Sequence, residues 1–298
     1  MNRNTFQALL DLVGPSLTTS SHVQRYGQPR TEDLRRRLYS PRDILAMTIR
    51  FMVSKAPTKD LHADFGALQT SFSTYRALGM RMIVQHLVND DRSKVYWDMS
   101  PEVIAANQQR TAFFDAIPGV VGFIDGVQVD TRRHPVYEMQ RLDYSGRAKA
   151  HKRNMILVWD TYGKIIDCVL NTPGSYHDSR STAIGYIYEH VTHLPDGAKI
   201  VADAAFCSTG EVEGKIVKVE NYDEVDEAHI RASITSLRQS AEWGNNTLFG
   251  TFSRLQAHLP TCNVERQSRM HTSVLLHNWR AHYGEPNQIR SYIDVLEM

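Results

Sequence analysis

Four acidic residues stand where their chemistry matters: Asp125, Asp178, Asp203 and Glu242. Asp125 interrupts the apolar run GVVGFIDGV and is followed by Gly126. A lone carboxylate buried in such a run is costly, which favours a functional reading. Asp203 ends the apolar segment AKIVAD, and Asp178 lies in the loop NTPGSYHDS. Glu242 follows Ala241 of an apolar helical stripe, with Arg238 one turn before it on the same face. Converging carboxylates repel unless protons or cations neutralise them. An all-oxygen donor set suits Mg²⁺ or Mn²⁺. Two such ions about 4 Å apart activate a water or a 3′-hydroxyl and stabilise the leaving oxygen of an in-line phosphoryl displacement.

Each residue also has a simpler reading. Asp203 could cap a helix. Ser175 and Asp178 have the spacing of a capping box. Glu242 alone could be a solvated helix residue. His177 fits proton transfer or a phosphate hydrogen bond, or an ordinary loop histidine. Tyr144, Arg147, Lys149, His151 and Lys152 fit phosphate contacts or a solvated insertion. The signal lies in the set.

The elements that must position these residues read as an α/β domain. Strand-like runs fall at about 120–125, 153–160 and 163–170, the last two joined by the turn Thr161-Tyr162-Gly163 as a hairpin. A helix is expected at roughly 179–189, a fourth strand from 198, a long helix over about 226–257 and a last one over 268–283. Gly244 and Gly250 mark a break in the long helix. In the expected topology the first strand ends at Asp125, and the third finishes at the same sheet edge. The fourth, reached by a helical crossover, runs parallel to the first and ends at Asp203. Ligands of open α/β sheets sit at such strand ends. The order strand, hairpin, helix, strand, helix is the ribonuclease-H-like layout.

Residues 1–115 read as helical. A helix from Pro41 to about Ser54, a short one at 59–65, Gly66 and a third helix carrying Tyr75, Leu78, Met82, Ile83 and Leu87 make a helix-turn-helix layout, or a plain bundle. In the first reading Ser71, Ser73, Thr74 and Arg76 face DNA. Ser100-Pro101-Glu102 opens another helix, with Pro at its first position. The expected division is 1–115, a helical DNA-binding region; 118–285, the catalytic domain; and 286–298, a C-terminal tail.

The chain has 298 residues, 34 Lys+Arg against 33 Asp+Glu, and a net charge of +1, which excludes a polybasic tail and an acidic disordered chain. The balance hides local asymmetry. Residues 1–60 carry ten bases against five acids, 131–153 seven against two, and 209–229 seven acids against two bases. Three scattered cysteines suggest neither a disulfide framework nor a zinc site and fit a reducing compartment. No signal peptide or membrane span is expected.

The stretches FIDGVQV, YSGRAKAH, NTPGSYHDSR, VADAAF, RQSAEWGNNTLFGTFSRL and LLHNWR, in this order, resemble the PIF/Harbinger superfamily of DDE transposases, related to the bacterial insertion-sequence-5 group. FIDGVQV departs from the more usual DGTH wording, and VADAAF from Gly-Asp-Ser-Gly-Tyr, which bears on fine metal geometry. The resemblance implies a transposase or transposase-derived nuclease that uses Mg²⁺ or Mn²⁺, two ions in all. Asp125, Asp203 and Glu242 would be its catalytic triad, and Asp178 a further metal ligand. Arg76, Arg147, Lys149, His151, Lys152 and Arg238 would contact DNA. It further implies DNA as partner, a Myb-like DNA-binding protein beside it, a homodimer, and a nuclear location (cytoplasmic in a prokaryote). The alternative function is a domesticated descendant that binds DNA or protein without cutting. A structural subunit docking through its acidic segment is a third reading.

Overall fold

The computed structural model describes residues 1–19, 39–222 and 227–296. Arg25, Arg30 and Arg35 to Arg37 of the basic N-terminal segment, and Asp223, Glu224 and Asp226 of the acidic one, lie outside them. The chain forms two compact units.

The first unit comprises Met1–Lys94, Thr251–Ala257 and Gln267–Glu285, so the helical region also recruits C-terminal segments. Its helices are α1 (Arg3–Thr19), α2 (Pro41–Met52), the single turn α3 (Thr58–Leu61) and α4 (Gln69–Leu87). Ser40 and Asp43 form a reciprocal capping box at the start of α2, with Pro41 at the first helical position. Gly66, with φ of 58°, makes the left-handed turn between a short 3₁₀ segment and α4. Helix lengths and order thus follow the expected three-helix layout.

Arg76 does not stand at an outward-facing helix start. Its guanidinium lies 4.1 Å from the centroid of the Phe51 ring, which Arg254 and Arg269 also approach, at 4.2 and 5.0 Å. Burial, with Arg269 and Arg76 beside it, pulls the Arg254 guanidinium down to about 10. The backbone oxygens of Phe51 and Ala56 accept its hydrogen bonds, at 3.0 and 2.8 Å. The expectation that Arg76 presents its charge to a DNA groove is therefore corrected: its charge is held against an aromatic ring inside the helical unit.

The second unit comprises Val95–Gly250, His258–Arg266 and Pro286–Met298. After α5 (Pro101–Arg110) it holds β1 (Val120–Asp130), α6 (Tyr137–Asp143), β2 (Tyr144–Ser145), β3 (Ala150–Asp160), β4 (Ile165–Pro173), α7 (Asp178–Ile184) and α8 (Ile187–Thr192). Then come β5 (Lys199–Val201), β6 (Ile216–Val217), α9 (Ala228–Thr251), α10 (Asn263–His282), most of which belongs to the first unit, and α11 (Gln288–Leu296). The sheet order is β2-β3-β1-β5-β6, with β4 also on β3. β3 is antiparallel to β1 and β4, whereas β1, β5 and β6 are parallel.

Helices cover both faces of this sheet. Val121, Ile124, Ile156, Val158, Ile200 and Ala202 pack with Ile187 and Val191 of α8 on one face. Phe123, Trp159 and Val201 alternate onto the other. Here α9 lies down: a Cβ at Gly244 would come within 2.7 Å of the Trp159 ring and 2.8 Å of Ile289 of α11. Gly244 thus seats the helix close against the sheet rather than breaking it, and α9 continues unbroken to Thr251. The expected tail at 286–298 contains α11, which buries Ile289 and Ile293 and sets Tyr292 edge-on to Trp243 at 4.0 Å.

The expected helix at 179–189 is two short ones, parted at Gly185 and Tyr186, the latter with φ of 62°. A Cβ at Gly185 would lie 1.9 Å from Val169, so a glycine is needed where the chain passes β4. β1 also runs past Asp125 to Asp130, because its pairing with β3 continues to Lys152.

Candidate active site

Asp125 and Asp203 are brought together by strand register. Phe123 of β1 pairs with Val201, the last residue of β5; two residues on stand Asp125, still in β1, and Asp203, just past the strand end, whose charge acts on Asp125. The face of β1 that carries Phe123 and Asp125 is the one α9 covers. β5 stops at Val201, leaving β1 without a strand partner on this side at Asp125. The chain turns away at Asp203, whose Oδ1 accepts from the Ala205 N–H at 2.8 Å. Asp203 makes this turn rather than capping a helix.

Asp178 arrives from the opposite face. A Cβ on Gly126 would lie 2.6 Å from the Asp178 carboxyl carbon. The missing side chain at 126 therefore leaves the space that Asp178 fills. Asp178 is the first residue of α7, but the N-cap is His177, without a side-chain capping bond. The Ser175-to-Asp178 capping box is thus not formed, and the carboxyl is turned to the strand instead. Glu242 is exposed on α9 and pairs with Arg238 at 3.1 Å. Its charge still reaches Asp125.

The electrostatics register this convergence. Burial pushes the Asp125 carboxyl up to about 7; the Gly126 N–H opposes this, and Asp203, Asp178 and Glu242 add to it. Burial, then the charge of Asp203, also raises Asp178, while His177 and Arg147 oppose the rise. Each Asp125 oxygen has a donor: the Gly126 N–H reaches Oδ1 at 2.9 Å, and Nδ2 of Asn245 reaches Oδ2 at 2.8 Å.

The residues fit a hard divalent cation. The donors are carboxylate oxygens, and Asp178 lies in the cradle left by Gly126. Among the described residues, no three His, Cys, Asp or Glu side chains form a closed metal-binding group. The arrangement is therefore an open set of carboxylates within electrostatic reach of one another.

The basic segment divides. Arg147 and Lys149 are exposed on the turn between β2 and β3, Lys149 with φ of 51°. Lys152 pairs with Asp130 at 2.7 Å, and His151 packs edge-on to Tyr144. Arg153 is buried and belongs to the core through Asp143. Gly126 and Asn245 are the residues that sequence reasoning missed. Asn245 had a signal: it is a polar residue on the buried stripe of α9, between Ala241 and Leu248.

This mixed sheet with its carboxylates lies in the segment of residues 124–278, which matches the family model of the DDE superfamily endonucleases. The match covers more than half of the chain, and the chain belongs to that family. Among solved structures, a pre-cleavage Mos1 transpososome is similar at 10% identity over 92% of this chain and 81% of that one, with a TM-score of 0.24. No curated protein matches. No helix among the described residues is long and apolar enough to cross a membrane.

Proposed function

We propose that the chain is a divalent-metal-dependent DNA nuclease of the transposase type, cutting and joining DNA by in-line phosphoryl transfer. The observation that carries this reading is the convergence of Asp203, Asp178 and Glu242 on the half-buried Asp125, within the segment that matches the endonuclease family. The order β4-β3-β1-β5-β6, with β3 alone reversed among these five, supports a ribonuclease-H-like catalytic domain. Asp125, Asp203 and Glu242 are the catalytic carboxylates of this reading, and Asp178 is a further ligand reaching in past Gly126. When bound, Mg²⁺ or Mn²⁺ would activate the attacking water or 3′-hydroxyl and stabilise the leaving oxygen. The chain's own contribution is to hold the carboxylates against their repulsion. Asp125 does so by keeping its proton to about neutral pH until a cation replaces it.

In this reading DNA lies along the exposed turn that carries Arg147 and Lys149, since Arg147 already acts on Asp178. Arg238 would gain a phosphate when Glu242 leaves it. The α2–α4 layout is the candidate helix-turn-helix, reading DNA through Ser71, Ser73 and Thr74 rather than Arg76. The PIF/Harbinger assignment, a Myb-like partner, a dimer and a nuclear location belong to the same proposal.

The test is cleavage of the DNA ends of the chain's own element by purified protein with Mn²⁺. Asp203→Ala and Glu242→Ala should reduce nicking to background with the fold intact by circular dichroism. Equal cleavage by wild type and both variants would remove the assignment. DNA binding without nicking would favour the domesticated, non-cutting alternative.

A further inference from the structure

The buried stripe of α9 runs through Leu237, Ala241 and Leu248, and Asn245 occupies a place in it where an apolar residue would pack. Its side chain is inside, the residue being 8% exposed. It donates through Nδ2 to Oδ2 of Asp125, leaving Oδ1 buried and without a hydrogen-bond partner among the described residues. Burying an amide that satisfies only part of its hydrogen-bonding capacity is unfavourable, and a stripe built for packing alone would not retain it.

The geometry does give it work. Asp125 has two oxygens held by donors from two elements, Gly126 on its own strand and Asn245 on the helix above. Together they fix the plane of the carboxylate. Glu242 stands three residues before Asn245, so the two neighbour each other on the helix surface. A slide or roll of α9 would move both. The close approach at Gly244, between them, sets the height of the helix over Trp159. The amide bond sets its position relative to Asp125.

We propose that Asn245 is a positioning residue for the divalent-cation site: its amide orients the Asp125 carboxylate and ties α9 to β1 so that Glu242 faces it. This rests on the metal-site reading above. It goes beyond that reading in adding to the four carboxylates a neutral amide that orients one of them. Outer partners of this kind commonly account for tenfold to hundredfold in metal affinity.

The test compares wild type, Asn245→Leu, Asn245→Ala and Asp125→Asn in Mn²⁺ titrations by calorimetry or paramagnetic resonance, with melting curves taken with and without Mn²⁺. Asn245→Leu suits the stripe, so its metal-free melting temperature should equal or exceed that of wild type. Its Mn²⁺ affinity should fall by about tenfold or more, and the Mn²⁺-induced rise in melting temperature should shrink accordingly. If the leucine variant does not fold, Asn245→Ala carries the same comparison. Unchanged Mn²⁺ affinity in the folded Asn245 variants, with binding lost in Asp125→Asn, would overturn the role of Asn245 and leave the metal site standing. Mn²⁺ binding by wild type no stronger than by Asp125→Asn would overturn both.

Discussion

Replacing Asp125 by Asn should abolish Mn²⁺-dependent cleavage and, in the same protein, raise metal-free stability above pH 7. The two effects share one cause. The folded state holds the Asp125 proton up to about pH 7, whereas an ordinary carboxyl releases it near 3.8. Between those values the folded chain binds more protons than the unfolded one, so metal-free stability falls as pH rises through the window. Above about pH 7 the penalty is complete. At 1.36 kcal/mol per pKa unit it amounts to at most about 4 kcal/mol. Asparagine has no proton to lose and escapes it. Denaturant titrations of both proteins at pH 4 and pH 8 check this: the advantage of the variant should be small at the lower pH and near its maximum at the higher. A constant difference across pH would remove Asp125 as the source. A buried carboxylate whose protein partners are neutral donors leaves its charge for a cation to neutralise.

Arg153→Met should be the most damaging substitution away from the site, costing about 3–5 kcal/mol. Arg153 of β3 pairs with Asp143 of α6 at 2.5 Å, and the Asp143 side chain is 0% exposed. Burial alone raises the Asp143 carboxyl and lowers the Arg153 guanidinium, and each opposes the shift of the other. Removing the cation leaves a buried carboxylate whose remaining favourable charges among the described residues are Arg266, then His134 and His151. The network extends to the loop that delivers Asp178. Arg153 donates to the Asn171 carbonyl at 3.2 Å, and Arg266 to the Asn171 side-chain oxygen at 3.1 Å. Asn171 itself has φ of 65° and bulges out of β4 between Leu170 and Thr172, just before the strand ends toward the loop that carries Asp178. Thermal melting of Arg153→Met against the double variant Asp143→Leu/Arg153→Met measures the effect. The double variant should recover much of the loss, because no charge remains unpaired. Equal losses in both would mean that packing, not the ion pair, sets the cost.

Much of the candidate site was legible because it depends on strand direction. A parallel crossover from the first strand to the one leading to Asp203 requires both carboxylates at one edge, and the Phe123–Val201 pair lies two residues before each of them. Asp178 was legible as a candidate, but not as the occupant of the space over Gly126, since a glycine in a strand reads the same whether it hosts a bulge or a neighbour's carboxylate. The extension of β1 beyond Asp125 was hidden because Gly126-Val127-Gln128 is no longer an apolar run, while the ladder to β3 continues through backbone bonds. β2 and β6 are two residues long, too short to carry a period. Gly244 reads as a helix breaker on propensity, and only the Trp159 ring beneath it shows that its lack of a side chain is what seats the helix. Arg76 illustrates the reverse case. Its place near a helix start suggests an outward charge, but a guanidinium stacks on an aromatic ring as readily as it faces solvent, and Phe51 is distant in sequence.

In the proposed enzyme, side chains from β1, the turn after β5 and α9 grip one divalent centre. A crystal structure of the protein grown with Mn²⁺, with anomalous scattering used to locate the ion, tests this most directly. The expected map has a manganese peak bonded to carboxylate oxygens of Asp125 and Asp203, with Glu242 swung from Arg238 to the metal. A map with no manganese at Asp125, and Glu242 still paired with Arg238, would contradict the account.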